Sequence, residues 1–137
     1  TAPELFPYFT IGQDNSITAL DLSIIAWLIA LIFMVILQPI AEELVLRGVL
    51  YPSLRESLGA WMAILMSGVF HTLFHTLVYL SIAPTDFTRI WYAIAIPFLD
   101  ALVITCARAY TGSTRAAIVA HAAFGAFAVL KAFTLTG

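Results

Sequence analysis

The sequence predicts an all-α membrane protein, a polytopic bundle of about four membrane-spanning helices. Of its 137 residues, 62% are hydrophobic and only 10% are charged, and the mean hydropathy is +1.00. About a quarter of the residues in a soluble domain are charged, so a chain of this composition cannot cover its apolar surface in water. The net charge of −2 comes with no basic stripe, which argues against nucleic acid as a partner and favours the lipid bilayer as the surrounding medium.

Four apolar runs give the predicted helices. The runs are 22–41, 60–83, 90–107 and 116–130. The first has no charge and, at a rise of about 1.5 Å per residue, can cross a hydrocarbon core of about 30 Å. Its helical pattern continues to Glu56, and Gly59 marks the turn that follows. Further breaks are predicted at 84–88 and at Thr111, Gly112 and Ser113.

Residues 1–17 are mixed in composition and are predicted to form a loop or an interfacial segment. Because no internal repeat or linker divides the chain, we predict one domain over 1–137. The first residue is a threonine, and we expect the chain to be trimmed at its start or to be a piece of a longer one. Arg55, Arg108 and Arg115 lie on the side of the first and third turns, with fewer basic residues opposite. The positive-inside rule then places that side in the cytoplasm.

Seven ionisable residues fall in or beside the predicted membrane helices. They are Glu42, Glu43, Arg47, His71, His75, Asp100 and His121. A charge at mid-bilayer costs about 2.5–3.5 kcal/mol on insertion scales, and intramembrane ionisable residues mark functional sites. If the first hairpin turns near Gly59, Glu42 and His75 lie at the same depth, and His121 converges on them from the last helix. Pro39 predicts a kink or a helix restart just before Glu42.

A glutamate and a histidine at one depth suit the activation of water, since the carboxylate takes a proton while the imidazole holds the water or the substrate carbonyl. The chain contains neither GxSxG nor HExxH. Arg47, four residues after Glu43, predicts an ion pair that keeps Glu43 structural and leaves Glu42 for chemistry. His71 and His75 are also four residues apart, a spacing that lets two imidazoles share one metal ion with Glu42 or His121. A metal-dependent peptidase is therefore an alternative interpretation.

The segment PIAEELVLRG carries an EExxxR motif, followed one helix later by His75 and then by TGSTRAAIVAH, which ends at His121. In this order the motifs resemble the CPBP family, the CAAX prenyl protease and bacteriocin-processing (ABI) membrane proteins. These are relatives of the type II CAAX prenyl endopeptidase Rce1 and have also been grouped with intramembrane metalloproteases. The resemblance covers roughly residues 38–125.

The resemblance implies an intramembrane endopeptidase of a prokaryotic plasma membrane, acting on a membrane-associated peptide or protein and needing no cofactor or metal. It implies that Glu42 is the catalytic glutamate and that Glu43 and Arg47 are its partners. By the same resemblance His75 binds the water and His121 helps to form the oxyanion hole.

The chain departs from the family pattern at two positions, which are accessory candidates for the site. His71 stands where the second motif usually has phenylalanine, and Gly125 stands where the third usually has asparagine or aspartate. Gly125 supports a further alternative, a non-catalytic membrane interaction or bacteriocin-immunity protein on the same scaffold. We expect a side chain at position 125 to face the cavity of His121, so that Gly125→Asn would accelerate cleavage. His71 and Thr105 are candidates for the missing oxyanion donor.

Overall fold

A computed structural model describes residues 17–80 and 90–136, and every element within these ranges is helical. The all-α prediction is therefore confirmed. The α-helices are α1 (Ile17–Ile32), α2 (Gln38–Val45), α3 (Tyr51–Leu58), α4 (Ala60–Leu80), α5 (Ile96–Thr111) and α6 (Thr114–Thr136). Three π-helical segments lie between or before them, at Phe33–Leu37, Leu46–Leu50 and Trp91–Ala95. The predicted loop before Ile17 and the predicted break at 84–88 lie outside the described residues.

Four stretches of the described chain are long and apolar enough to cross a membrane, as predicted. They are Ile24–Leu58, Ala60–Leu77, Ala93–Thr111 and Thr114–Lys131. Most large apolar side chains on them are exposed, which is the pattern of helices that face lipid. The helix ends match the predicted turns, because Gly59 and Gly112 both have positive φ (80° and 68°) and close α3 and α5. Glycine adopts this conformation without the steric cost of a Cβ.

The π segments explain how the first span passes its proline. The N–H of Gln38 donates to the carbonyl of Phe33, five residues back, and Pro39 follows as the second residue of α2. Proline lacks an N–H and so removes one bond of a helix. Gln38 has α-helical φ and ψ (−63° and −51°) and Ile24–Leu58 is one helix, so the predicted restart at Pro39 is absent. The N–H of Gln38 is bonded within this helix and is not aimed at the glutamates.

The chain divides into two compact units, 40–121 and 1–39 with 122–137. In the first unit α4 packs antiparallel to α5: Gly68 lies against Phe98 and Leu102, and the Thr76 hydroxyl donates to the carbonyl of Ala93 at 3.1 Å. The α3–α4 hairpin buries Tyr51 against Ala63 and Ile64. This register places the polar residues of α2, α4 and α5 at one level. The prediction of a single domain stays a prediction.

In the second unit the approach of two backbones depends on Gly125. A Cβ built on this glycine would overlap the carbonyl oxygen of Met34 and lie 3.1 Å from its carbon. Small residues at such positions let membrane helices pack closely. In the same unit Trp27 meets Phe133 edge to face, with ring centroids 5.8 Å apart.

Candidate active site

Glu43 and Arg47 form the buried base of the site. Both side chains have no solvent exposure, and Arg47 Nη1 lies 2.9 Å from Glu43 Oε1. Helical spacing of four residues puts the two on one face, with Arg47 in the π segment that follows α2. The predicted ion pair is present. Because an unpaired charge in such surroundings is very costly, each residue depends on the other.

Arg47 is also bonded to α5, which the motif spacing did not predict. Its Nη2 donates to the carbonyl of Ala101 at 3.0 Å, and both Nε and Nη2 lie within 3.2 Å of Thr105 Oγ1. The Thr105 hydroxyl in turn donates to the Ala101 carbonyl at 2.6 Å. Thr105 is thus engaged on both sides, which argues against it as the missing oxyanion donor. A hydroxyl in a third apolar helix is too common a feature to have identified this partner from sequence.

Glu42 lies beside Glu43 but faces three imidazoles. Its Oε2 is 3.3 Å from His75 Nε2, 3.9 Å from His71 Nδ1 and 4.0 Å from His121 Nε2. The side chain of Glu42 keeps 15% exposure, whereas that of Glu43 has none. The predicted equal depth of Glu42 and His75, and the convergence of His121, are therefore confirmed. The two longer distances exceed a direct hydrogen bond and suit a bridging water.

The outer partners of two histidines restrict which nitrogens carry protons. A guanidinium can only donate, so His71 Nδ1, at 3.1 Å from Arg47 Nη1, acts as acceptor and the proton of the neutral ring is on Nε2. His121 Nδ1 lies 2.8 Å from Glu43 Oε1 and donates to this carboxylate, which leaves a lone pair on Nε2 of the neutral ring. The lone pair of His121 therefore faces the Glu42 carboxylate. A water with two hydrogens to donate satisfies both acceptors.

His71 stacks on His75 with ring centroids 4.5 Å apart. Glu42, His71 and His75 each offer a ligand atom within 4.8 Å of the others, so these three residues could hold a metal ion. Asp100, which the sequence left without a role, is half-buried at the start of α5.

The expectation for Gly125 is wrong in its geometry. A side chain at this position would project into the backbone of Met34 and Val35, and no open space is present there. An asparagine at position 125 therefore cannot be added as a donor without moving a helix. This glycine has a packing role that a motif comparison cannot detect, because the partner backbone lies about ninety residues away in the chain.

The comparison with protein families agrees with the motif order. The model of the type II CAAX prenyl endopeptidase Rce1-like family matches residues 24–127, which is well over half of the chain. This range includes every residue of the candidate site. The chain belongs to this family. It is accordingly an integral membrane protein of the CAAX-protease type. No curated protein and no solved structure matches it.

Proposed function

We propose that this Rce1-like chain is a glutamate-dependent intramembrane endopeptidase. It hydrolyses a peptide bond of a membrane-associated protein, and Glu42 is the general base. One observation carries the proposal: the Glu42 carboxylate, partly exposed like His75, lies 3.3 Å from His75 Nε2 and 4.0 Å from His121 Nε2. The membership of the family supports the reaction class.

In the proposed reaction a water lies between Glu42 Oε2 and the imidazoles of His75 and His121. Glu42 accepts a proton from this water, and the oxygen attacks the scissile carbonyl carbon. The negative charge then develops on the carbonyl oxygen. Glu42, now protonated, is the group that can return the proton to the departing amine.

His121 is the proposed electrophilic partner of the developing oxyanion. Since its Nδ1–H stays on Glu43, a donor at Nε2 requires the ring to take up a second proton from solvent before the attack. In this form Nε2 donates to the scissile carbonyl oxygen, and Glu42 alone accepts from the water. The buried Glu43 carboxylate stabilises such a cation, as the aspartate of a serine-protease triad does. Arg47 in turn holds Glu43 in place. Glu43 and Arg47 are therefore positioning residues, and Glu42, His75 and His121 are the catalytic ones.

The proposed substrate-facing side is cytoplasmic, in a prokaryotic plasma membrane. Arg55 and Arg115 are exposed at the end of the described helices where the α3–α4 and α5–α6 turns lie. Excess arginine at this end supports that orientation.

The test is cleavage of a reporter peptide by the purified chain in detergent, with the peptide ending in a prenylated CAAX sequence or its unprenylated match. Glu42→Gln keeps the shape of the side chain but removes the base, and we expect the rate to fall by about 10²–10⁴. Glu56→Gln is the matched control, because Glu56 is exposed on α3, and it should cleave like the parent. A Glu42→Gln variant that retains a tenth of the parent rate would contradict the assignment. If the parent cleaves neither peptide, the non-catalytic alternative gains.

A further inference from the structure

We propose that Glu42, His71 and His75 form an inhibitory binding site for a divalent transition-metal ion such as Zn²⁺. The ion would enter the space in which the proposed catalytic water lies. His71, the residue that departs from the family pattern, supplies a ligand that phenylalanine could not.

The spacing of the three ligand groups fits a small ion. Two ligands of a tetrahedral zinc at about 2.0–2.1 Å from the metal lie about 3.3 Å from each other. Glu42 Oε2 and His75 Nε2 are separated by 3.3 Å, and His71 Nδ1 is 3.9 Å from the same oxygen. Taking one ligand atom from each residue, the three lie within 4.8 Å of one another. Small side-chain movements therefore bring them to bonding geometry, and His121, with Nε2 at 4.0 Å from Glu42 Oε2, is in reach as a fourth ligand.

The charge balance of the cluster favours a cation. Glu42 and Glu43 contribute two negative charges against the one positive charge of Arg47. An ion bound at His71 Nδ1 competes with the hydrogen bond from Arg47 Nη1. Arg47 keeps its bonds to Glu43, Ala101 and Thr105 when that bond is lost. Imidazole ligands select zinc and cobalt over magnesium, which prefers oxygen.

Inhibition is expected because the ion binds to Glu42, the proposed general base. As a ligand, the Glu42 carboxylate shares its negative charge with the ion and becomes a much weaker base for the proton of water, and His75 is fixed at the same time. Glu43 cannot take over as the base for a metal-bound water, because its side chain has no exposure and its Oε1 is already bonded to Arg47 and His121. This second part of the inference rests on the proposed function, whereas binding of the ion does not.

The binding test uses Co²⁺, whose visible absorption reports tetrahedral nitrogen and oxygen ligands. The chain is purified in detergent with an affinity tag free of histidine and is treated with chelator before titration. We expect one Co²⁺ per chain and at least a tenfold weaker affinity for His71→Phe and for Glu42→Gln. Cys106→Ser is the matched control, since it removes the exposed thiol without touching the cluster, and it should bind like the parent. Melting curves establish that each variant is folded.

The activity test adds Zn²⁺ or Mg²⁺ to the chelator-treated chain during peptide cleavage. We expect Zn²⁺ to stop cleavage, chelator to restore it and Mg²⁺ to have no effect. Within the His71→Phe variant, the ratio of the rates with and without Zn²⁺ should lie close to one. The site is overturned if the parent binds no Co²⁺, or if folded His71→Phe and Glu42→Gln bind it as tightly as the parent.

Stimulation of the chelated chain by Zn²⁺ overturns inhibition and establishes a metal-dependent peptidase. A chain that binds Co²⁺ but cleaves no peptide, with or without metal, overturns the proposed function and the inhibition together while the metal site stands.

Discussion

Replacing Gly125 by alanine should destabilise the protein, although alanine is the better helix former. Alanine in place of glycine in a helix is favourable by about 0.5–1 kcal/mol. At position 125 the new methyl group would overlap the Met34 carbonyl, and its neighbour is backbone, which cannot rotate away. Overpacking of this kind costs about 1–3 kcal/mol, so the net change is a loss of up to about 2.5 kcal/mol. Gly125→Asn should be worse, and it should not accelerate peptide cleavage.

Gly48 provides the matched control. A Cβ at this position would meet only the Glu43 carbonyl at 3.7 Å and the Thr114 methyl at 3.9 Å, both ordinary contacts. Gly48→Ala should therefore melt at or above the parent temperature, while Gly125→Ala melts below it, as measured by helical circular dichroism in detergent. Equal melting of the two alanine variants would refute the close approach at Gly125.

Two further predictions concern the buried ion pair and the orientation. Glu43→Gln should lower the free energy of unfolding by about 3 kcal/mol, because Arg47 loses its charged partner in a buried site. This is the lower end of the range for such a loss, since the amide oxygen still accepts a bond from Arg47. A melting shift no larger than that of the exposed Glu56→Gln would count against this. In a Cys106→Ser background, Ser57→Cys should react with a membrane-impermeant maleimide only after the cells are opened. Thr134→Cys, near the far end of α6, should react in intact cells. The reverse pattern would invert the proposed orientation.

Much of the fold follows from simple features of the sequence. Membrane helices need long runs without charge, because charged side chains are costly in the hydrocarbon core. Such runs are visible without any structure, and they must be helical because the backbone has no water to bond with. The register of Glu42 and His75 follows as well, since a tight hairpin at Gly59 fixes which residues of two antiparallel helices share a depth. The approach of His121 to Glu42 could be expected for the same reason, because the turn before the last helix opens on the same side as the turn at Gly59.

The remaining features depend on contacts between distant residues. Arg47 is bonded to Thr105 and to the Ala101 carbonyl, which lie more than fifty positions away in the chain. From the sequence, any of several hydroxyls in the apolar helices could equally have been the partner of Arg47. A backbone carbonyl has no sequence signature at all. The packing of Gly125 on Met34 is of the same kind, because a glycine that permits a close approach and a glycine that lacks a donor look identical in a motif.

The π segment at Leu46–Leu50 has a consequence for how relatives of this chain are compared. A π turn is in effect a one-residue insertion into an α-helix, and here it lies between the glutamates of α2 and the start of α3 at Tyr51. A relative that has an ordinary α turn at this place would be one residue shorter and still present the same two faces. An alignment that allows no gap inside the helix would then shift every position after the motif by about 100° around the axis. Such an alignment would assign buried positions to the lipid-facing side of the helix and the reverse. The helical register of an alignment should therefore be checked at the arginine of EExxxR.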